Sequence, residues 1–238
     1  MTSKTAYTLA VLLAAFAASM TGPTHVHAQR AGTLDDPYIA AKLTLGFGGS
    51  ATTTYEGRLG RVEADRSLKP SFGLAGQYLY PLHDYFSVGG MLGFQSWRSN
   101  SDGDGGRNLV FDLAVLPQGK FELIENLLEL NVTIPIGLAL NMWNEVDVRN
   151  QLALPAIGAA AGGSIDGGTA LGFVFGFLFG VRYQLIEEVG LLAELGYTYR
   201  TIGHTITSSA GGGVVTVETE ADVSLGWGQF ALNLGAYF

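Results

Sequence analysis

The sequence predicts an all-β chain: a closed antiparallel barrel of eight membrane-crossing strands. Three observations predict it. Apolar residues alternate with small or polar ones in eight separate segments, each near the 9–11 residues that a tilted strand needs to cross a bilayer. The connections between those segments run long, short, long, short along the chain. The last segment, FALNLGAYF, keeps its apolar row to its final residue.

Residues 1–28 precede this pattern and read as an export signal. A short n-region carries Lys4, an apolar run follows over residues 6–18, and Val26-His27-Ala28 offers a small-residue cleavage site. Removal of Lys4 with the signal would leave the mature chain one unit more acidic than the formal charge of −8. Residues 29–37 form a short periplasmic leader, and residues 38–238 the barrel domain.

In the first segment, YIAAKLTLGFG, Ile39, Ala41, Leu43, Leu45 and Phe47 share one face, and Lys42, Thr44 and Gly46 the other. That two-residue period is the signature of a half-buried strand. The second sets Phe72, Leu74, Tyr78 and Tyr80 opposite Ser71, Gln77 and Leu79. The third sets Phe86, Val88, Leu92 and Phe94 opposite Ser87 and Gln95. The fourth carries Leu109, Phe111, Leu113, Val115 and Phe121 against Asp112, Gln118, Lys120 and Glu122. In the fifth, a Leu/Val/Ile row from Leu128 to Leu140 opposes Glu129, Asn131, Thr133 and Asn141. The sixth places Phe173, Phe175, Phe177 and Phe179 opposite glycines, Arg182 and Gln184. The seventh places Leu191, Leu195, Tyr197 and Tyr199 opposite Glu194, Thr198 and Arg200. The eighth is the terminal FALNLGAYF, with an irregularity expected at Gly226-Trp227-Gly228.

A soluble sandwich would leave these rows of Phe and Leu in water. Lipid suits them instead, because closure of the sheet gives every backbone N–H and C=O a partner where water is absent. The long connections (residues 51–69, 98–108, 142–168 and 201–222) all fall at one end and the short turns (81–85, 124–127 and 186–189) at the other, as in barrels with short periplasmic turns and long outside loops.

Composition removes several alternatives. Only 14% of residues are charged, yet beyond the first 28 no run approaches the roughly 18 apolar residues of a membrane-spanning helix. With no cysteine, disulfides and a thiol-linked lipid anchor are both excluded. The acidic balance argues against nucleic acid as a partner. No Rossmann or P-loop glycine pattern, HExxH or GxSxG occurs. No cofactor is expected.

A signal peptide, eight alternating strands and a terminal strand ending in Phe resemble the Gram-negative outer-membrane β-barrels of OmpA/OmpX/OmpW type over essentially the whole mature chain. The resemblance implies a monomer in the bacterial outer membrane, in contact with its lipid and lipopolysaccharide. It also implies that Phe230, Leu232, Leu234 and Phe238 form the signal read by the barrel assembly machinery. In this chain no soluble peptidoglycan-binding domain is expected after the barrel.

Eight staves leave a lumen that side chains fill or that holds one small ligand. The expected polar network inside is Lys42, Asp112, Lys120, Glu122, Glu129, Arg182 and Glu194, with Gln77, Gln95, Gln118, Gln184 and Arg200. Enclosed charges must pair or hold water; Lys42, Lys120 and Arg182 are expected to meet Glu122, Glu129 and Glu194 near the periplasmic end. Tyr38, Tyr78, Tyr80, Phe86, Tyr183, Tyr197, Tyr199 and Phe238 are expected to form aromatic girdles on the outer face.

The expected function is non-enzymatic: a structural or surface-interaction protein whose long outer loops set specificity. A narrow channel for small or hydrophobic solutes is the alternative. An outer-leaflet lipid A-modifying enzyme would draw on His204, with Ser208, Ser209 and Glu218 in the same loop, whereas His83 reads as a solvated turn residue. In the loop 142–168, Leu152, Leu154, Ile157 and Ala159 could cover the mouth or touch a partner. Asp102, Asp104 and Gly105 echo a calcium loop but lack its downstream Glu, so no metal site is expected.

Overall fold

The computed structural model describes residues 36–57, 60–98, 108–142, 164–165, 169–212 and 215–238, with only the backbone described at 55, 57, 60, 62, 64, 164–165, 204, 206–212 and 215–221. They all belong to the unit Gly32–Phe238. The signal-peptide expectation lies outside the described residues.

Alternation turns into extended backbone throughout. Among the described residues there are eleven strand segments: β1 (Tyr38–Gly57), β2 (Gly60–Ser67), β3 (Ser71–His83), β4 (Phe86–Trp97), β5 (Asn108–Ile124), β6 (Leu128–Thr133), β7 (Ile136–Met142), β8 (Ser164–Ile165), β9 (Thr169–Ile186), β10 (Val189–Gly212) and β11 (Val215–Tyr237). Antiparallel pairing runs β1–β3–β4–β5, then through β6 and β7 to β9, β10 and β11. β11 returns to β1, in register at Leu43↔Leu234 and Leu45↔Leu232. Ile39 and Phe238 exchange backbone bonds of 3.0 and 2.8 Å, so the seam is paired to its end. The result is a closed ring of eight staves, in which no sheet edge faces the hydrocarbon.

β6 and β7 share one stave, interrupted at Ile134-Pro135. Proline cannot donate to the ladder, and the wall is mended around it. Ile134 N–H donates to Pro117 O, and Gly176 N–H to Pro135 O, both at 3.0 Å.

Two segments expected to be loops are strands instead. Residues 51–69 form most of the hairpin between the outer half of β1 and β2, with Thr52 opposite Asp65 and Thr54 opposite Glu63. Residues 201–222 continue β10 and β11 in register past Thr207↔Glu220 and Ser209↔Glu218. Both carry β-branched residues, which favour strands, but no apolar row, because outside the membrane neither face needs one. Together they extend the wall outward as the sheet β2–β1–β11–β10–β8.

The irregularity expected at residues 226–228 lies on the facing strand. Opposite Gln229, β1 inserts Gly48 and Gly49 between Phe47↔Phe230 and Ser50↔Gly228, while β10 and β11 stay in register there. Gly48 has φ 59°, the left-handed region that glycine enters without strain. The bulge reverses the parity of β1: Ala40 and Lys42 are buried below it, Ala51 and Thr53 above it. On β11, Gly226 and Gly228 sit under the rings of Tyr199 and Tyr197, whose hydroxyls would collide with any Cβ there.

The outward row is apolar around the ring and exposed, including Leu43, Leu74, Leu113, Leu138, Phe175, Leu195 and Leu234. β9 is the simplest case: Phe173, Phe175, Phe177 and Phe179 face out, while Ala170, Val174, Leu178 and Arg182 are buried. An encircling apolar surface of this kind is a lipid-facing belt.

Candidate functional site: the filled lumen

The inward row builds a stack of polar layers. At the periplasmic end, the Arg182 guanidinium of β9 lies over two rings, 4.1 Å from the centre of Tyr38 and 4.8 Å from that of Tyr237. Those rings face each other across the β1–β11 seam at 5.4 Å. Arg182 also meets Glu129, its register partner on β6, at 3.5 Å. The Tyr237 hydroxyl donates to Gln184 at 2.6 Å, and the Tyr38 hydroxyl points at Gln118 at 3.5 Å.

One layer further in, Lys42 Nζ donates to Glu194 Oε2 at 2.8 Å and to Gln77 Oε1 at 2.7 Å. Asn233 donates to the same Glu194 oxygen at 3.0 Å. The ammonium and the carboxylate are both buried, so each depends on the other for charge compensation.

The middle layer crosses the lumen. Arg200 of β10 takes both oxygens of Asp112 on β5, with Nη2–Oδ2 at 2.5 Å and Nε–Oδ1 at 3.0 Å. Beside it Gln95 donates to Ser71, and Ser71 to Gln229, at 2.8 and 2.9 Å. Above this layer Trp97 of β4 and Trp227 of β11 stack at 5.0 Å and 25°, both fully buried. Trp97 Nε1 donates to Asn141 at 3.3 Å. The free volume between the Lys42 and Arg200 layers is about 40 Å³, bounded by Lys42, Asn233, Gln95, Asp112, Thr198 and Arg200. That space suits a few waters and no larger solute.

Of the residues expected inside, Lys42, Asp112, Lys120, Glu129, Arg182 and Glu194 are buried, as are Gln77, Gln95, Gln118 and Arg200. Glu122 is not. It is exposed near the end of β5, opposite Glu129 of β6, and its carboxylate accepts the backbone N–H of Asn126, a left-handed residue of the following turn. Its parity points inward, but so near the strand end its side chain reaches out to the turn. Tyr38 is the converse correction: expected in the outer girdle, it is buried, because it shares parity with Ala40 and Lys42. Tyr78, Tyr80, Phe86, Tyr183, Tyr197, Tyr199 and Phe238 are exposed on the outer face, along with Phe230 and Leu234, and Leu232 is half-buried.

Sequence reasoning overlooked the Trp97–Trp227 pair and the inward role of Tyr237. Their signal was parity with Gln95, Gln229 and Asn233. His83 ends β3 beside Tyr85, ring centres 5.8 Å apart, at the periplasmic rim. The side chains of His204, Ser208, Ser209 and Glu218 lie outside what is described, as do Asp102, Asp104, Gly105, Leu152, Leu154, Ile157 and Ala159.

No protein-family model matches the sequence, and no curated protein does. Solved structures do. OprG, an outer-membrane protein of Pseudomonas aeruginosa, is similar over 88% of this chain and 98% of its own, with a TM-score of 0.53 at 13% identity. The outer-membrane protease OmpT of Escherichia coli covers 88% of this chain and 99% of its own, at 8% identity and a TM-score of 0.49. Neisserial surface protein A covers 83% and 98%, at 14% and 0.39. The fold is that of the small outer-membrane β-barrels, here with eight staves.

Proposed function

We propose that this protein is a plugged barrel of the bacterial outer membrane, non-conducting and non-enzymatic, that presents its outer hairpins and loops at the cell surface. The observation that carries the reading is the Asp112–Arg200 bridge beneath the Trp97–Trp227 stack: ionic and aromatic contacts tie non-adjacent staves together where a pore would run. A narrow channel would need a continuous water path, and about 40 Å³ between the two inner ion-pair layers does not supply one. The hairpins β1–β2 and β10–β11 present Glu56, Arg61, Glu63, Asp65, Thr205 and Asp222 to the outside. A polar, mixed-charge wall of this kind suits contact with lipopolysaccharide head groups or a hydrated partner rather than an apolar one.

Two measurements test the reading. Protein purified from membranes of cells expressing the full chain is expected to give no steady current in a planar bilayer. Intact cells treated with protease are expected to lose the tips of both hairpins and keep the barrel. Ion flux, or hairpins cut only after cell lysis, would overturn it.

A further inference from the structure

We infer that the periplasmic half of the barrel wall carries a retention site for one acyl chain of a periplasmic-leaflet phospholipid, centred on Gly119. The wall there is not smooth. A groove of about 450 Å³ runs over β5, β6 and β9, flanked by Phe121, Leu130, Val132, Phe179 and Val181 and ending near Tyr85. The notch exists because Gly119 stands in the outward row where its stave otherwise carries Val115 and Phe121. Val132 and Phe86 are its register partners on either side. A Cβ built on Gly119 meets nothing within 4 Å, so the missing side chain leaves open space that no neighbour fills.

The occupant follows from position. The groove is continuous with the lipid-facing belt, so the molecules that reach it are those of the bilayer. It lies on the periplasmic side of the Pro117–Pro135 discontinuity, next to the short turns, at the depth of the leaflet away from the long hairpins. Its exposed flanking side chains are apolar, as an acyl chain requires, while Lys120 and Asn131 border it from the buried inward row. At its end Tyr85 is exposed, an amphipathic ring at the level where head groups lie. The size falls in the range of small-ligand sites, whose apolar walls with a polar tip fix orientation. A chain seated between Phe121 and Phe179 exchanges fewer neighbours than one on a convex wall, and so leaves more slowly.

The test compares the wild type with Gly119→Leu, which projects a side chain into the notch, and Phe179→Ala, which removes one wall. Each is purified from membranes in mild detergent, checked for the heat-modifiable mobility of a folded barrel, and weighed by native mass spectrometry after exposure to phosphatidylethanolamine. Wild type is expected to keep one phospholipid, with occupancy falling roughly tenfold in each folded variant, the scale of one apolar contact. A phosphatidylethanolamine with a diazirine on its acyl tail should label Phe121 and Leu130 above Leu43 and Leu74 on another part of the wall. Equal occupancy in all three folded proteins, or uniform labelling, would overturn the site. A wild-type dimer dispersed by Gly119→Leu would also overturn it, in favour of a second barrel as the occupant.

Discussion

Arg200 and Asp112 join walls of the barrel that are not neighbours: two staves stand between β10 and β5, and the guanidinium spans the lumen to contact both carboxylate oxygens at 2.5–3.2 Å. Bidentate geometry makes this the strongest kind of side-chain hydrogen bond, and its burial makes either partner costly alone. Arg200→Met should therefore destabilise the barrel by about 3–5 kcal/mol, since it strands a buried carboxylate. The double variant Asp112→Leu/Arg200→Met should recover most of that loss. Urea unfolding in lipid vesicles measures both. Single variants costing under about 1 kcal/mol would mean a solvated pair and a wet lumen.

At the periplasmic end, Arg182 is held by two aromatic faces as well as by Glu129. Arg182→Lys keeps the charge but loses the planar group that stacks. It should cost about 1–2 kcal/mol, with Arg182→Met costing more. The check is the temperature at which the folded band disappears on a gel. Equal behaviour of Lys and Met at this position would reduce the clasp to simple packing.

Gly48 and Gly119 should respond oppositely to the same change. Alanine at Gly48 must adopt φ near 59° and should cost about 1–2 kcal/mol, with asparagine better tolerated. Alanine at Gly119 enters open space and should leave stability within about 0.5 kcal/mol. Equilibrium unfolding of the three variants separates a conformational requirement from a steric one.

Much of this architecture could be read from the sequence because alternation assigns faces. Lys42, Glu194, Arg182 and Phe175 each reveal by parity which side they occupy. Parity gives the face and not the height, which is why Glu122 reads as lumenal although, near the end of β5, its side chain reaches out to the Asn126 N–H. It also survives a misleading residue type: Tyr38 suggests an interface anchor, but its spacing from Lys42 places it inside. Partners across the lumen are a different matter. Asp112 and Arg200 are 88 positions apart, and their meeting depends on the stagger of staves that pair through other strands. The outer hairpins were unreadable for a simpler reason: above the bulge the buried positions of β1 hold small or polar residues, Ala51 and Thr53, which make no apolar row to reveal them.

The Trp97–Trp227 stack closes the lumen above the ion pairs, and below it lie the Asp112–Arg200 bridge, the Lys42–Glu194 pair and the Arg182 clasp, so removal of the upper barriers alone should not open the barrel. Trp227→Ala alone should stay electrically silent, because the Asp112–Arg200 bridge still spans the lumen. Trp227→Ala with Asp112→Ala and Arg200→Ala should also stay silent, because the Lys42–Glu194 layer and the Arg182 clasp still fill the lumen below.

The most direct measurement is single-channel recording of the wild-type protein, purified from membranes and shown to be folded, in a planar bilayer. The filled lumen calls for silence over long recordings. Steady openings from the wild type, shifting in ion selectivity with Arg200→Gln, would contradict the plugged barrel and make its inner charges the lining of a pore.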